Sequence, residues 1–298
     1  MMIHNNIEPM KVELVSKTKN IKLAAFDLDG TTLYKGQIQK NVGETLLRLK
    51  EKGIILAISS GRDISPISPE VKQYFSYAIT GNGACVGEIT NSIINPAPFF
   101  TAPMEPKSIF EAIKLVHKSK GHMCLYCNGF VIASISFIVN LLRKKEYRTK
   151  GNRKSLPKKS GKISFGSKRS AKKNLQKKHG IFKIQTFYKK EENGKKGSAL
   201  LKKVNGIDFT TQGLNSQEIM AQGVNKGSAL EILCDYLDIK TEQTIVFGDS
   251  GNDIDILKKA GIAVVMGNGE EIAKKEADYI TDTVENDGVA SAINKLFF

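Results

Sequence analysis

Short runs of consecutive apolar residues recur along the chain and stop abruptly at Gly, Asp, Ser or Thr. Ile21 to Phe26 runs into Asp27-Leu28-Asp29-Gly30-Thr31-Thr32, Ile54 to Ile58 into Ser59-Ser60-Gly61-Arg62, and Tyr77 to Ile79 into Thr80-Gly81-Asn82-Gly83. Runs of this length bounded by turn formers read as strands buried on both faces. Val42, Leu46 and Leu49 recur at helical spacing between the first two runs, and Gly53 suits the end of that helix, so this stretch reads as a β-α-β unit. Acidic and hydroxyl groups are thereby delivered to the carboxyl ends of strands.

The far end of the chain repeats the pattern. Lys226 to Leu237 carries Leu230, Leu233, Cys234 and Leu237 on one helical face, and Thr244 to Phe247 is a strand ending in Gly248-Asp249-Ser250-Gly251-Asn252-Asp253. A helix to Lys259, a strand Ile262 to Val265, a helix from Glu270 and a short strand at Tyr279 follow. Strands alternating with helices predict a parallel sheet covered on both faces, with ligands at the carboxyl ends of its strands. From about Ala84 to Gln222 the alternation weakens. Strand-like pieces at Met123 to Ile132 and Phe182 to Tyr188, with a helical stretch around Lys107 to Lys118, predict an α+β insert threaded through the first domain.

Charge separates the same regions. Of the 298 residues, 45 are Lys or Arg and 30 Asp or Glu, a net +15, but 23 basic and three acidic residues fall between Arg143 and Lys203. The remainder holds 22 basic against 27 acidic residues, so a mildly acidic protein carries a basic segment, 143–203, inside its insert. An apolar fraction of 41% excludes wholesale disorder, and no period of repeat length is present. Residues 1–20 lack an apolar core of the secretory kind and read as a frayed extension. The longest apolar stretch, Phe130 to Leu142, is broken by Ser134, Ser136 and Asn140 and falls short of the roughly 20 residues that span a bilayer. A soluble cytoplasmic protein is the expectation. Cys85, Cys124, Cys127 and Cys234 are too few for a disulfide framework. Cys124 and Cys127, near His117 and His122, invite a zinc reading, but no second ligand pair follows at finger spacing, and buried core thiols are the leading reading.

Hydrolysis of a phosphate monoester with carboxylates needs an attacking Asp, an acid for the leaving oxygen, a cation for the phosphoryl charge and hard ligands for Mg²⁺. Asp27 and Asp29, two apart at a strand end, suit the first two roles, and Gly30 lets the backbone approach a phosphate closely. Ser60 offers a hydroxyl and neighbouring amides, Lys226 a positive charge at a helix start, and Asp249 with Asp253 hard oxygens for Mg²⁺. Taken singly each motif has a bland reading: an Asx-type turn, a helix cap, a solvated lysine. Their order and common placement at strand ends favour phosphoryl transfer.

The motifs resemble those of the haloacid dehalogenase superfamily, and within it the Cof-type phosphatases of subfamily IIB. Asp27-Leu28-Asp29-Gly30-Thr31 is similar to the first motif, Ser60-Gly61-Arg62 to the second, Lys226 in Val224-Asn225-Lys226-Gly227 to the third, and Gly248-Asp249 through Asn252-Asp253 to the fourth. The likeness extends to Met266-Gly267-Asn268 and to Glu285-Asn286-Asp287-Gly288-Val289. It implies a three-layer Rossmann-like parallel-sheet core, 21–84 and 223–298, with an inserted α+β cap, 85–222. It further implies that Asp27 is the nucleophile forming an aspartyl-phosphate and that Asp29 is the general acid and then base. Ser60, Gly61, Lys226 and Asn252 would hold the phosphoryl group; Asp27, Asp29, Asp249 and Asp253 would serve Mg²⁺; Asn82 would face the substrate. Arg62 is assigned either to substrate or cap contact or to a structural ion pair. Ser59-Ser60 stands where the family usually has Ala-Thr, a change that keeps the hydroxyl.

The resemblance implies a Mg²⁺-dependent phosphatase acting on a small phosphorylated metabolite such as a sugar phosphate. A phosphomutase of the same superfamily, and a non-catalytic nucleic-acid-binding protein on this scaffold, are the alternatives. The basic segment reads first as a solvated excursion, next as a surface for polyanionic substrates, and last as a nucleic-acid contact, since aromatics within it are few, mainly Tyr147 and Phe165. Oligomeric state leaves no signature in the sequence.

Overall fold

The computed structural model describes residues 7–62, 67–89, 98–127, 130–133, 162–165 and 180–298. The chain divides into two compact units: Met1–Gly61, Ser68–Phe99 and Asn225–Phe298 form one, Arg62–Ile67 and Phe100–Val224 the other. Residues 134–142 of the long apolar stretch, and most of the basic segment with its Tyr147, lie outside the described residues. Among the described residues no helix is long and apolar enough to cross a membrane.

The amino-terminal stretch departs from the expected fraying, because Ile7–Thr18 is a helix. Leu14 and Thr18, one turn apart, are both buried, and the Thr18 hydroxyl donates to the Leu296 carbonyl at 3.1 Å. Burial of Leu14 and this tertiary hydrogen bond help to hold a segment whose polar composition gave no such signal.

In chain order the strands are β1 (Leu23–Phe26), β2 (Ile55–Ser59), β3 (Tyr77–Thr80), β4 (Cys85–Glu88), β5 (Pro98–Thr101), β6 (His122–Cys127), β7 (Phe130–Ala133), β8 (Lys162–Phe165), β9 (Ile181–Phe187), β10 (Ile207–Gln212), β11 (Ser216–Ala221), β12 (Thr244–Gly248), β13 (Ile262–Val265) and β14 (Tyr279–Ile280). The larger sheet has the order β14-β13-β12-β1-β2-β3-β4-β5. From β14 to β3 the pairings are parallel, as the alternation predicted. Two features differ from that prediction. Gly81, Asn82 and Gly83 all take positive φ and turn the chain back, so β4 pairs antiparallel with β3, Thr80 opposite Cys85. Consequently the first unit runs on to Phe99, past the boundary that the weakening alternation had placed after Ala84.

β1 is flanked by β12 and β2, so the two ends of the chain meet at the middle of the sheet. Phe26 and Phe247 are register neighbours with rings stacked at 4.7 Å, and both are fully buried. The chain leaves β1 toward β2 on one side, while β13 and β14 extend the other side beyond β12. Adjacent crossovers that depart in opposite directions open a crevice at the carboxyl ends of β1 and β12. The residues that follow those ends are Asp27 and Asp249. The helix Lys40–Glu51 buries Val42, Leu46 and Leu49, the stripe read from spacing.

The second unit has a six-stranded sheet, β10-β11-β9-β6-β7-β8, with the helices Pro106–Lys118 and Glu191–Leu201. Ile109, Ile113, Val116, Leu125, Ile184 and Ile219 belong to its core. Lys183, which alternates with Ile184 along β9, is 2.7 Å from Glu218, and the pair is buried. Cys124 and Cys127 are three apart on β6, where an odd spacing turns side chains to opposite faces. Both thiols are free and buried, and burial pushes both up to about 12.

Candidate active site

Asp27 follows β1 and keeps the strand's hydrogen bonding, its amide donating to the Phe247 carbonyl at 2.9 Å. Thr32, buried, donates from its hydroxyl to the Asp27 carbonyl at 2.6 Å, closing the turn. The Asp27 carboxylate accepts from the Lys226 ammonium at 2.7 Å, and the same ammonium reaches Asp253 at 2.6 Å. Lys226 is fully buried. It is the first residue of the helix Lys226–Leu237, whose start is fixed by a capping box: Asn225 accepts from the Ser228 amide, and the Ser228 hydroxyl accepts from the Asn225 amide. That cap holds the lysine where the helix begins.

Asp253 uses both oxygens, one on Lys226 and the other accepting from the Asp249 and Ser250 amides at 3.0 and 3.1 Å. It thereby shapes the loop that presents Asp249. Carboxylate oxygens of Asp27, Asp249 and Asp253 lie within 4.8 Å of one another, and among the described residues no other group of three or more His, Cys, Asp or Glu side chains converges in this way. Burial drives the Asp27 carboxyl well above the usual range; Lys226 pulls it down, and Asp253 and Asp249 push it up. Asp249 is pushed up to about 7, by burial first and then by Asp253. Burial alone would lower the Lys226 ammonium, yet Asp253 and Asp27 outweigh it and hold it above its ordinary value. Among the described residues three carboxylates cluster beside the Lys226 ammonium, which pairs with two of them, and all the donors are hard oxygens. The set fits a hard divalent cation.

Gly30 makes this crowding feasible. Its φ is +87°, and a Cβ built there would stand 2.4 Å from the Asp249 Oδ2. Gly30→Ala is expected to cost about 1–2 kcal/mol of backbone strain and to displace Asp249, lowering turnover on the order of 100-fold. Steady-state kinetics beside a thermal melt separate the two effects; activity within threefold of the parent would show that the close approach is dispensable.

The remaining residues singled out in the sequence are distributed as follows. Ser60 is buried at the end of β2, its amide bonded to the Ile79 carbonyl and its carbonyl accepting from the Asn82 amide. Asn82 is buried with φ +57°, and its side-chain oxygen accepts from Asn252 at 3.1 Å, so these two are brought together. Asp29 is exposed, two residues beyond Asp27, and is not one of the three converging carboxylates. Gly61 ends a segment of the first unit, and Arg62 begins a segment of the second. Sequence reasoning gave no separate role to Thr31, buried and donating to Asp249 at 3.2 Å, or to Glu270, which accepts from the Gly251 amide at 3.0 Å. Thr31 was readable as part of the first motif; Glu270 carried no local signal.

An acid-rich centre built around a buried lysine, at the switch point of a doubly wound sheet, suits an enzyme of the phosphoryl-transfer class. A family model described as haloacid dehalogenase-like hydrolase matches residues 24–293, and the chain belongs to that family, as its Cof-type resemblance implied. It is 29% identical over 277 residues to the 5-amino-6-(5-phospho-D-ribitylamino)uracil phosphatase YcsE of Bacillus subtilis, covering 92% of this chain and 95% of that protein. Its fold is similar to that of a solved haloacid dehalogenase-like hydrolase from B. subtilis, with a TM-score of 0.80, 20% identity, and 92% and 99% of the two chains covered. A solved subclass IIB sugar phosphatase matches with a TM-score of 0.76 at 21% identity over 92% and 98% of the chains. One relative, from Streptococcus pyogenes, is longer: this chain is 26% identical to it over 294 residues and spans 57% of its length.

Proposed function

We propose that the chain hydrolyses a small phosphomonoester through a phosphorylated Asp27, with Mg²⁺ held by the acidic cluster. The observation that carries this reading is the convergence of the Asp27, Asp249 and Asp253 carboxylates, two of which, Asp27 and Asp253, pair with the buried Lys226. An Asp27 oxygen forms a bond to phosphorus while the bond from phosphorus to the leaving oxygen breaks, and Asp29 gives that oxygen its proton. Asp29 then takes a proton from water, whose oxygen bonds to phosphorus as the Asp27–phosphorus bond breaks and inorganic phosphate forms. The exposed position of Asp29 suits a group that meets water and the leaving alcohol in turn. Lys226 offsets phosphoryl charge from a site without solvent, where one positive charge counts most. Ser60 and Gly61 are assigned to the phosphoryl oxygens, Asn252 to the same group, and Asn82 to the substrate side of Asn252. Mg²⁺, when bound by Asp27, Asp249 and the Asp29 carbonyl with Asp253 in support, would supply charge stabilisation to the phosphoryl oxygens.

The second unit enters the chain between the second and third motifs, and that placement supports a role as the cap that selects the leaving group. Candidate substrates follow the relatives' names: a sugar phosphate, or a phosphorylated ribityl compound like the one for which the Bacillus relative is named.

Hydrolysis of p-nitrophenyl phosphate is expected in the presence of MgCl₂, to fall at least about 100-fold in EDTA and to return when Mg²⁺ is restored. Turnover that survives exhaustive chelation would contradict the metal assignment. A panel of sugar phosphates, nucleotides, flavin mononucleotide, pyridoxal phosphate and the ribityl compound then identifies the leaving group by kcat/KM.

A further inference from the structure

Asn268, just past β13, has no role in the chemistry above, yet it spends both ends of its amide on backbone groups. Its Nδ2 donates to the Gly30 carbonyl at 2.8 Å, and its Oδ1 accepts from the Val284 amide at 2.7 Å. The Val284 carbonyl in turn accepts from Gln39 Nε2 at 2.8 Å, immediately before the helix Lys40–Glu51, and Asn41 of that helix donates to Asp287 at 2.8 Å. The turn containing Glu285-Asn286-Asp287-Gly288, a motif without an assigned role, is therefore anchored to a core helix on one side and through Asn268 to Gly30 on the other. Two residues along from Asn268, the Glu270 amide donates to the Asp249 carbonyl at 2.7 Å. One short segment thus grips both the Gly30 turn and the Asp249 loop that it packs beside: Gly30 by the Asn268 side chain and Asp249 by the Glu270 backbone.

We propose that Asn268 is a positioning residue that sets the spacing of the Gly30 turn against Asp249, and thereby the affinity of the acidic cluster for a divalent cation. The chemistry demands one donor and one acceptor at the end of a short stem, which Asn supplies without having to take up a proton. Its exposure separates this role from packing, because the side chain fills no core space. The proposal rests on the reading of the cluster as a Mg²⁺ site.

Titration calorimetry of the full chain with MgCl₂ tests it. Asn268→Ala is expected to raise the Mg²⁺ dissociation constant about tenfold or more, the usual effect of losing an outer partner of a metal site. The melting temperature in EDTA should stay close to the parent's, and KM for p-nitrophenyl phosphate at saturating Mg²⁺ should not move. Gln39→Ala, which breaks the same chain of contacts one step further out, should weaken Mg²⁺ less, and the double variant should fall short of the sum. Mg²⁺ affinity equal to the parent's in Asn268→Ala overturns the proposal, as does a parent chain that binds no Mg²⁺. A parent that binds Mg²⁺ but hydrolyses no phosphomonoester contradicts the proposed function instead, so the two failures read out separately.

Discussion

Asp27→Asn is expected to lower kcat for p-nitrophenyl phosphate by at least about 10³-fold, the scale on which removing a nucleophile acts, while leaving the protein folded. The amide cannot form the acyl phosphate, because its nitrogen and carbonyl oxygen lack the carboxylate's nucleophilicity. It can still accept from Lys226 through its oxygen, as Asp27 does at 2.7 Å. The amide has the size and shape of the carboxylate and Lys226 keeps its second partner, Asp253, at 2.6 Å, so the fold is expected to persist. Circular dichroism and a thermal melt like the parent's, beside lost turnover, are the expected pair of results. Activity within tenfold of the parent would remove Asp27 from the chemistry.

Lys226→Met carries the second large effect, and on stability as well as rate. The fully buried ammonium sits between Asp27 and Asp253, and Asp249 lies in the same cluster. Removing it leaves Asp27 and Asp253 without the ammonium they share, with Asp249 close by. Breaking a buried ion pair from one side costs about 3–5 kcal/mol, and loss of the charge that faces the phosphoryl group costs roughly another 10²–10³-fold in kcat. Methionine keeps the length and apolar stem of lysine, which limits the cavity left behind. Urea unfolding in EDTA reads the first effect and steady-state kinetics the second. A destabilisation below about 1 kcal/mol would mean that the carboxylates are charge-balanced by something other than Lys226.

The strand ends that build the site were legible because each is a largely buried apolar run stopped by Gly, Asp, Ser or Thr. Ile262–Val265 and Lys226–Leu237 have the bounds read from the sequence, and Thr244–Gly248 exceeds its reading by one residue. Burial on both faces produces continuous apolar runs, a signal that needs no partner to be recognised. The links that tune the site lacked any such signal. Asn252 to Asn82 and Asn268 to Gly30 join residues far apart in sequence by single side-chain hydrogen bonds, which impose no periodicity. β4 was missed as a core strand although Gly81-Asn82-Gly83 is a turn-forming run, because the two flanking strands are only four residues each. The amino-terminal helix was read as frayed because its charged residues mask the pair Leu14 and Thr18, whose burial depends on the helix Gly288–Phe297 at the other end of the chain. Roles for Asp29 and Ser60 came from motif order, since nothing local distinguishes a catalytic acid from a turn residue.

The central claim is that Asp27 carries the phosphoryl group during turnover. Acid quenching of the working protein with p-nitrophenyl phosphate, borohydride reduction of any acyl phosphate to the alcohol, and peptide mass spectrometry test it directly. Homoserine at position 27, absent when substrate is omitted and absent in Asp27→Asn, is the predicted result. Steady turnover with position 27 recovered only as aspartate, or the reduced residue found at another acid such as Asp29 or Asp249, would contradict it.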